Sequence, residues 1–185
     1  MSNKKKNDCQ KLNKKAKHRE LISEADLKKR IKELGEEISR DYESKCPILI
    51  GVLNGAFIFM ADLIRELTID CEVDFVKISS YGNKKVSSGN IKLIKDFDCD
   101  VDGRHVLVVE DIADSGRSIR FLEEMFSESK PKSLKFVSLL LKEGGAMVDF
   151  ELDYVGFRIE NEFVIGYGLD YAQKLRNLSS IQVLD

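Results

Sequence analysis

The side chains best suited to chemistry are concentrated in one run, Val106-Leu107-Val108-Val109-Glu110-Asp111-Ile112-Ala113-Asp114-Ser115-Gly116-Arg117-Ser118. Four apolar residues read as a buried strand, with the carboxylates of Glu110 and Asp111 at its C-terminal end. Ligands of open parallel sheets bind at the carboxyl ends of strands. Asp114 then leads into a hydroxyl, a glycine and a second hydroxyl, where a helix over Ser118–Phe126 is predicted to begin. Glycine lets the backbone turn tightly, so that successive amide N–H groups converge on an anion. The hydroxyls and the positive end of the helix dipole add to that site. This is a phosphate cradle without a Walker loop, because G-x-x-x-x-G-K-[ST] occurs nowhere in the chain. Two adjacent acids beside bound phosphate also suit a hard divalent cation. A capped helix with solvated acids fits any one of these residues, but not the whole run in this order.

Three other segments carry weaker signals. Gly51-Val52-Leu53-Asn54-Gly55-Ala56-Phe57 is a strand entering a small loop, and Asn-Gly on its own marks only a turn. Ser79-Ser80-Tyr81-Gly82 heads a polar loop that runs from Ser80 to Asn90, with Tyr81 its one aromatic. The C-terminal third holds Lys142 at a strand end, then Phe163-Val164-Ile165-Gly166-Tyr167-Gly168-Leu169-Asp170-Tyr171, then Arg176. That set suits a purine: an aromatic face can stack on the base and a lysine can donate to an exocyclic carbonyl oxygen. A backbone carbonyl can read a ring N–H, and an acid can hold a metal. Taken singly, these are a snorkelling lysine, a core phenylalanine and a surface acid. The Gly166-x-Gly168 pair is no dinucleotide fingerprint, since no third glycine follows in register.

Other chemistries are excluded. Cys9, Cys46, Cys71 and Cys99 are scattered with no Cys-x-x-Cys pair, which speaks against zinc and for free thiols in a reducing compartment. The only histidines, His18 and His105, rule out a His-x-x-x-His helix, and neither lies where a Ser-His-Asp triad would need one.

The elements that must hold these residues can be read from pattern. Ser23 and Asp26 form a variant capping box, and Leu27, Ile31, Leu34, Ile38 and Tyr42 recur at helical spacing over about 24–42. Pro47–Leu53 is a buried strand, about 57–67 a helix, and Cys71–Ser79 an alternating, half-covered strand. Lys135–Leu141 is a further strand, and two short ones fall near 154–159 and 163–167. Strand–helix alternation followed by an irregular last third predicts an α/β domain with a mainly parallel sheet and a small capping subdomain. The length of 185 residues allows one domain with a substantial core. A net charge of -2 hides an asymmetry, because residues 1–20 carry seven lysines and Arg19 against Asp8 and Glu20. No aromatics interleave those lysines, so 1–20 is expected to be a solvated, poorly ordered basic arm with no nucleic-acid partner. No apolar run reaches the roughly 18 residues of a membrane span, and no secretory signal is evident.

The run from Val106 to Ser118 resembles the phosphoribosyl-pyrophosphate signature of type I phosphoribosyltransferases: four apolar residues, two acids, two variable residues, Asp, Ser or Thr, Gly, one variable residue, and Ser or Thr. The resemblance extends from the Ser23 helix to the C-terminus and is strongest to members acting on hypoxanthine and guanine. It implies a mainly parallel central sheet flanked by helices, in a single domain over 21–185. A small C-terminal hood is contributed mainly by about 142–185. It assigns phosphoribosyl-pyrophosphate binding to Glu110, Asp111, Asp114, Ser115, Gly116, Arg117 and Ser118, with Asp114 the catalytic general base for the purine N7 proton. Pyrophosphate falls to Leu53, Asn54 and Gly55, with a cis peptide between Leu53 and Asn54, and to Arg176. Many relatives have Lys or Arg where this chain has Asn54, so only the amide role of that position carries over. Ser80 and Tyr81 match the Ser-Tyr dipeptide of a flexible loop that closes over the site and excludes water. Lys142 is assigned to the 6-oxo group, Phe163 to stacking, Val164 to main-chain base contacts and Asp170 to the purine side and metal. Glu110, Asp111 and Asp170 are the implied Mg2+ ligands.

The resemblance thus implies a purine salvage enzyme that transfers 5-phosphoribosyl from phosphoribosyl pyrophosphate to N9 of hypoxanthine or guanine. IMP or GMP and pyrophosphate are the products. The expected partners are phosphoribosyl pyrophosphate, a 6-oxopurine base and a second copy or three further copies of the chain, in the cytoplasm and away from membranes. A phosphoribosyl-pyrophosphate-sensing regulator that binds nucleic acid is the competing reading, and only the basic arm favours it.

Overall fold

The computed structural model describes residues 18–81, 90–143 and 152–184. Residues 1–17 of the expected arm and 82–89 of the expected flexible loop lie outside the described residues. Helix α1 (Glu24–Asp41) starts where the capping pair requires. The Ser23 hydroxyl accepts from the Asp26 amide at 3.2 Å and donates to Asp26 Oδ2 at 2.6 Å. Its stripe of Leu27, Ile31, Leu34 and Ile38 is at most 2% exposed. Each such side chain contributes roughly 1.5–3 kcal/mol by leaving water.

Strand β2 (Ile48–Leu53) is buried on both faces, as its unbroken apolar run demands. Around it the main sheet takes the order β4 (Asn90–Lys95), β3 (Glu72–Tyr81), β2, β5 (His105–Ala113), β6 (Ser133–Lys142), β7 (Tyr154–Ile159). All pairings are parallel except β3 with β4. One face packs on α1 and α2 (Phe57–Glu66), and α3 (Arg117–Ser127) covers the other. The Arg30 guanidinium of α1 donates to the Val155 carbonyl at 2.8 Å and the Gly156 carbonyl at 3.0 Å, which closes off part of the β7 edge. No helix among the described residues is long and apolar enough to cross a membrane.

A second sheet has the order β1 (His18–Ile22), β9 (Ile181–Leu184), β8 (Val164–Ile165), all antiparallel. It corrects the expected boundaries in two places. Residues 18–20, expected to belong to a poorly ordered arm, are in a strand, because His18, Arg19 and Glu20 find ladder partners in β9. The segment 154–159 belongs to the main sheet, parallel to β6, and not to the hood. The smaller sheet thus joins the N-terminal strand to strands from the last 22 residues of the chain.

Candidate active site

The connection β2–α2–β3 runs one way across the sheet and β5–α3–β6 the other, so a crevice opens between the carboxyl ends of β2 and β5. Residues 53–56 and 110–118 meet there. Gly116 is the N-cap of α3 and holds a φ of 70°, in the left-handed region that a side chain disfavours. No side-chain hydrogen bond caps the start of this helix, and a helix start of this kind suits an anion. Ser115 and Ser118 stand partly buried on either side of Gly116, and Arg117 begins the helix.

Strand β5 was expected to end at Val109, with both acids beyond it. Instead it continues to Ala113, so Glu110 and Asp111 alternate to opposite faces. Glu110 is 4% exposed and bonds the Ser118 hydroxyl, while its Oε1 has no partner. Burial, with the Asp111 charge beside it, pushes its carboxyl well above the usual range. Asp111 faces the other way, with its carboxylate against the Cα of Gly55. Burial raises its carboxyl too, backbone amides and Arg176 oppose that rise, and Asp170 adds to it.

The Leu53–Asn54 peptide is cis, as the resemblance implied. Asn54 is exposed, and Gly55 is wedged between Asp111 and the hood: its carbonyl lies against the Cα of Gly168. Arg176 donates to the Gly168 carbonyl at 2.6 Å and pairs with Asp170 at 2.7 Å. The second oxygen of Asp170 accepts from the Gln173 amide at 2.7 Å. Among the described residues, no three His, Cys, Asp or Glu side chains converge to hold a metal. Glu110, on the far face of β5, does not join Asp111 and Asp170 as expected. Mg2+ characteristically uses one or two carboxylates and completes its shell with substrate oxygens and water. Asp111, with Asp170 close enough to act on its titration, fits that mode.

The residues expected to meet the base lie at the end of β6 and in and after β8. Lys142 Nζ stands 3.3 Å from Asp114 Oδ2, so the expected 6-oxo donor and the expected general base are paired with each other. Phe163 is 52% exposed, with Tyr171 set edge-to-face against it at 6.0 Å and 89°. Val164 is buried in β8, and the Phe163 carbonyl accepts from the Leu184 amide at 3.0 Å. Ser80 and Tyr81 close β3, and the loop after them lies outside the described residues. Sequence reasoning gave no role to Tyr171, Gly168 or the Ser118–Glu110 bond. Tyr171 could have been flagged by its place eight residues after Phe163 in the same short segment, whereas the other two depend on contacts made across the fold.

A model of the phosphoribosyl transferase domain matches residues 20–172. A hypoxanthine-guanine phosphoribosyltransferase from Bacillus subtilis is 51% identical over 164 residues, which cover 89% of this chain and 91% of that protein. The bifunctional protein TilS/HprT of Listeria monocytogenes is likewise 51% identical over 164 residues, although the match covers only 25% of that longer protein. A crystal structure of a hypoxanthine-guanine phosphoribosyltransferase from Bacillus anthracis superposes with a TM-score of 0.86 at 47% identity, covering 90% of this chain and 98% of the other.

Proposed function

This chain belongs to the phosphoribosyl transferase domain family, and on that premise we propose that it transfers the 5-phosphoribosyl group of phosphoribosyl pyrophosphate to N9 of hypoxanthine or guanine. The reaction gives IMP or GMP and releases pyrophosphate, as in purine salvage. What supports this reading most is the convergence at one crevice of two segments suited to anions. One is the uncapped start of α3 behind Gly116, and the other is the loop 53–55 wedged between Asp111 and Gly168.

On this reading the amides and hydroxyls of 115–118 hold the 5′-phosphate, and the amides of 53–55 with Arg176 hold pyrophosphate. The anomeric carbon gains positive character as pyrophosphate leaves, and the Asp111 carboxylate offsets it. Mg2+, held by Asp111 and Asp170 with substrate oxygens, would neutralise charge on the departing group. The purine stacks on Phe163 with Tyr171 at its side, Val164 meets the base through its main chain, and Lys142 donates to the 6-oxo oxygen. Asp114 takes the N7 proton, and its pairing with Lys142 keeps base and donor at one edge of the purine. Ser80 and Tyr81 lead the closing loop. We place the enzyme in the cytoplasm as a homodimer or homotetramer, with residues 1–17 outside the catalytic unit.

The test is turnover of hypoxanthine, guanine and xanthine with phosphoribosyl pyrophosphate, with and without Mg2+. Magnesium-dependent release of pyrophosphate with one of the first two bases is expected. No turnover of any base, together with tight nucleic-acid binding, would overturn the reading in favour of a regulator.

A further inference from the structure

Gly166, Tyr167 and Gly168 hold three successive positive φ values, 93°, 49° and 100°. Two glycines adopt that geometry freely, but a tyrosine between them is disfavoured and persists only where its surroundings over-determine it. Backbone bonds supply part of the hold. The Tyr167 amide donates to the Leu178 carbonyl at 2.8 Å and the Gly168 amide to the Arg176 carbonyl at 3.0 Å. The side chain supplies the rest: Tyr167 is 6% exposed, and its hydroxyl donates to Asp62 Oδ2. The other oxygen of Asp62 accepts from Arg65. Burial, reinforced by the bond to Asp62, pushes the phenol above its usual range and keeps it a donor.

Asp62 lies in α2, the helix that begins directly after the loop 53–56. Gly168, the residue after Tyr167, packs its Cα on the Gly55 carbonyl inside that loop. The turn is thus attached twice to one loop-and-helix unit, once through side chains and once through backbone. Asp111 backs Gly55 on its other side, so the turn and β5 grip the loop between them. We propose that Tyr167 is a positioning residue that sets the pyrophosphate loop through its hydrogen bond to Asp62. The inference rests on the phosphoribosyl-transfer reading, and it separates the two halves of the site. The hydrogen bonds of Tyr167 run to Asp62 and Leu178, whereas the base pole rests on the Phe163–Tyr171 ring pair and on Lys142–Asp114.

Tyr167→Phe removes only the hydroxyl. Magnesium pyrophosphate affinity, measured by titration calorimetry, should fall about tenfold, the order expected for a hydrogen bond to a charged acceptor. The KM for phosphoribosyl pyrophosphate should rise in parallel while the KM for the purine stays within about twofold, a split that general loosening would not produce. Asp62→Asn, which keeps an acceptor oxygen, should retain most of the affinity, and Asp62→Ala should match Tyr167→Phe. The double variant Tyr167→Phe/Asp62→Ala should lose no more than either single variant. Unchanged pyrophosphate affinity in Tyr167→Phe would overturn the proposal, as would an equal rise in both KM values with a lowered Tm. A wild-type protein that binds pyrophosphate but turns over no purine would overturn the functional reading instead.

Discussion

Gly55 offers a severe and localised test of the crevice. Its backbone φ lies outside the left-handed region, so the demand for glycine there is one of space alone. A methyl group built on its Cα would collide with Asp111 Oδ2 and stand 3.0 Å from Oδ1. Non-bonded heavy atoms settle near about 3.5 Å, so the carboxylate or the loop must move by roughly 1 Å or more. Asp111 lies in β5, whose backbone stays paired with β6 through Ala113, so the strand itself gives little. A displacement of about 1 Å at a reacting group can cost on the order of 10²-fold in rate, and overpacking typically costs about 1–3 kcal/mol in stability. Gly55→Ala should therefore fold, melt a few degrees lower and lose at least about 10²-fold in kcat/KM for phosphoribosyl pyrophosphate. Gly103→Ala is the matched control, since Gly103 has a φ of +66° with nothing within 4 Å of the added Cβ. It should lose roughly 1–2 kcal/mol in stability and no activity. Steady-state kinetics and thermal melts on the two variants decide the matter. A Gly55→Ala enzyme of normal kcat/KM would refute the claim that Asp111 and the loop are mutually fixed.

Three further outcomes are expected. Asp114→Asn should keep pyrophosphate binding and lose about 10²–10⁴-fold in kcat, the range for removing a general base; a wild-type rate would take Asp114 out of that role. Phe163→Ala should weaken purine binding while leaving the Tm almost unchanged, because a half-exposed ring contributes little to the core. Equal purine affinity in that variant would leave Phe163 a surface residue. Asp74 is tested by pH. Burial alone would raise its carboxyl, but amide donors from Phe75, Asp98 and Cys99 outweigh burial and hold it below the usual aspartate range. A depressed carboxyl contributes stability above its unfolded pKa and loses it as pH falls through the folded one. The stability deficit of Asp74→Ala in chemical denaturation should therefore be full at neutral pH and shrink below about pH 3.8. A deficit independent of pH would show that the amide bonds do not act through charge.

Elements with dense local signals were readable from residue types alone. The Ser23 cap and the Leu27, Ile31, Leu34, Ile38 stripe dictate α1, and the apolar runs of β2 and β5 dictate buried parallel strands. Strand β1 was not readable, because His18–Ile22 is short, mostly charged and largely exposed, and its partner β9 lies some 160 residues away in the chain. Strand β9 is equally short, and although Ile181–Leu184 alternates, its partners β1 and β8 are themselves too short to be read locally. The alternation in Asn90–Lys95 did carry a strand signal, but it follows a polar loop that masked where the pairing resumes. The pattern of Tyr154–Ile159 marks a strand, yet nothing local says whether it joins the main sheet or the hood. That choice is made by β6 and by Arg30 from α1.

Within the site, the residue types were legible and their directions were not. Reading Glu110 and Asp111 as one acidic pair assumes that the strand stops before them. Once β5 runs to Ala113, period-two alternation sends Glu110 toward Ser118 and Asp111 toward Gly55. On the proposed reading this division is useful chemistry. The substrate carries a phosphate at one end of its ribose and a pyrophosphate at the other, and the crevice must address both ends from adjacent strands. Two neighbouring carboxylates that face opposite sides of one strand do so. Glu110 braces the helix start that holds the 5′-phosphate, and Asp111 braces the loop that holds the leaving group.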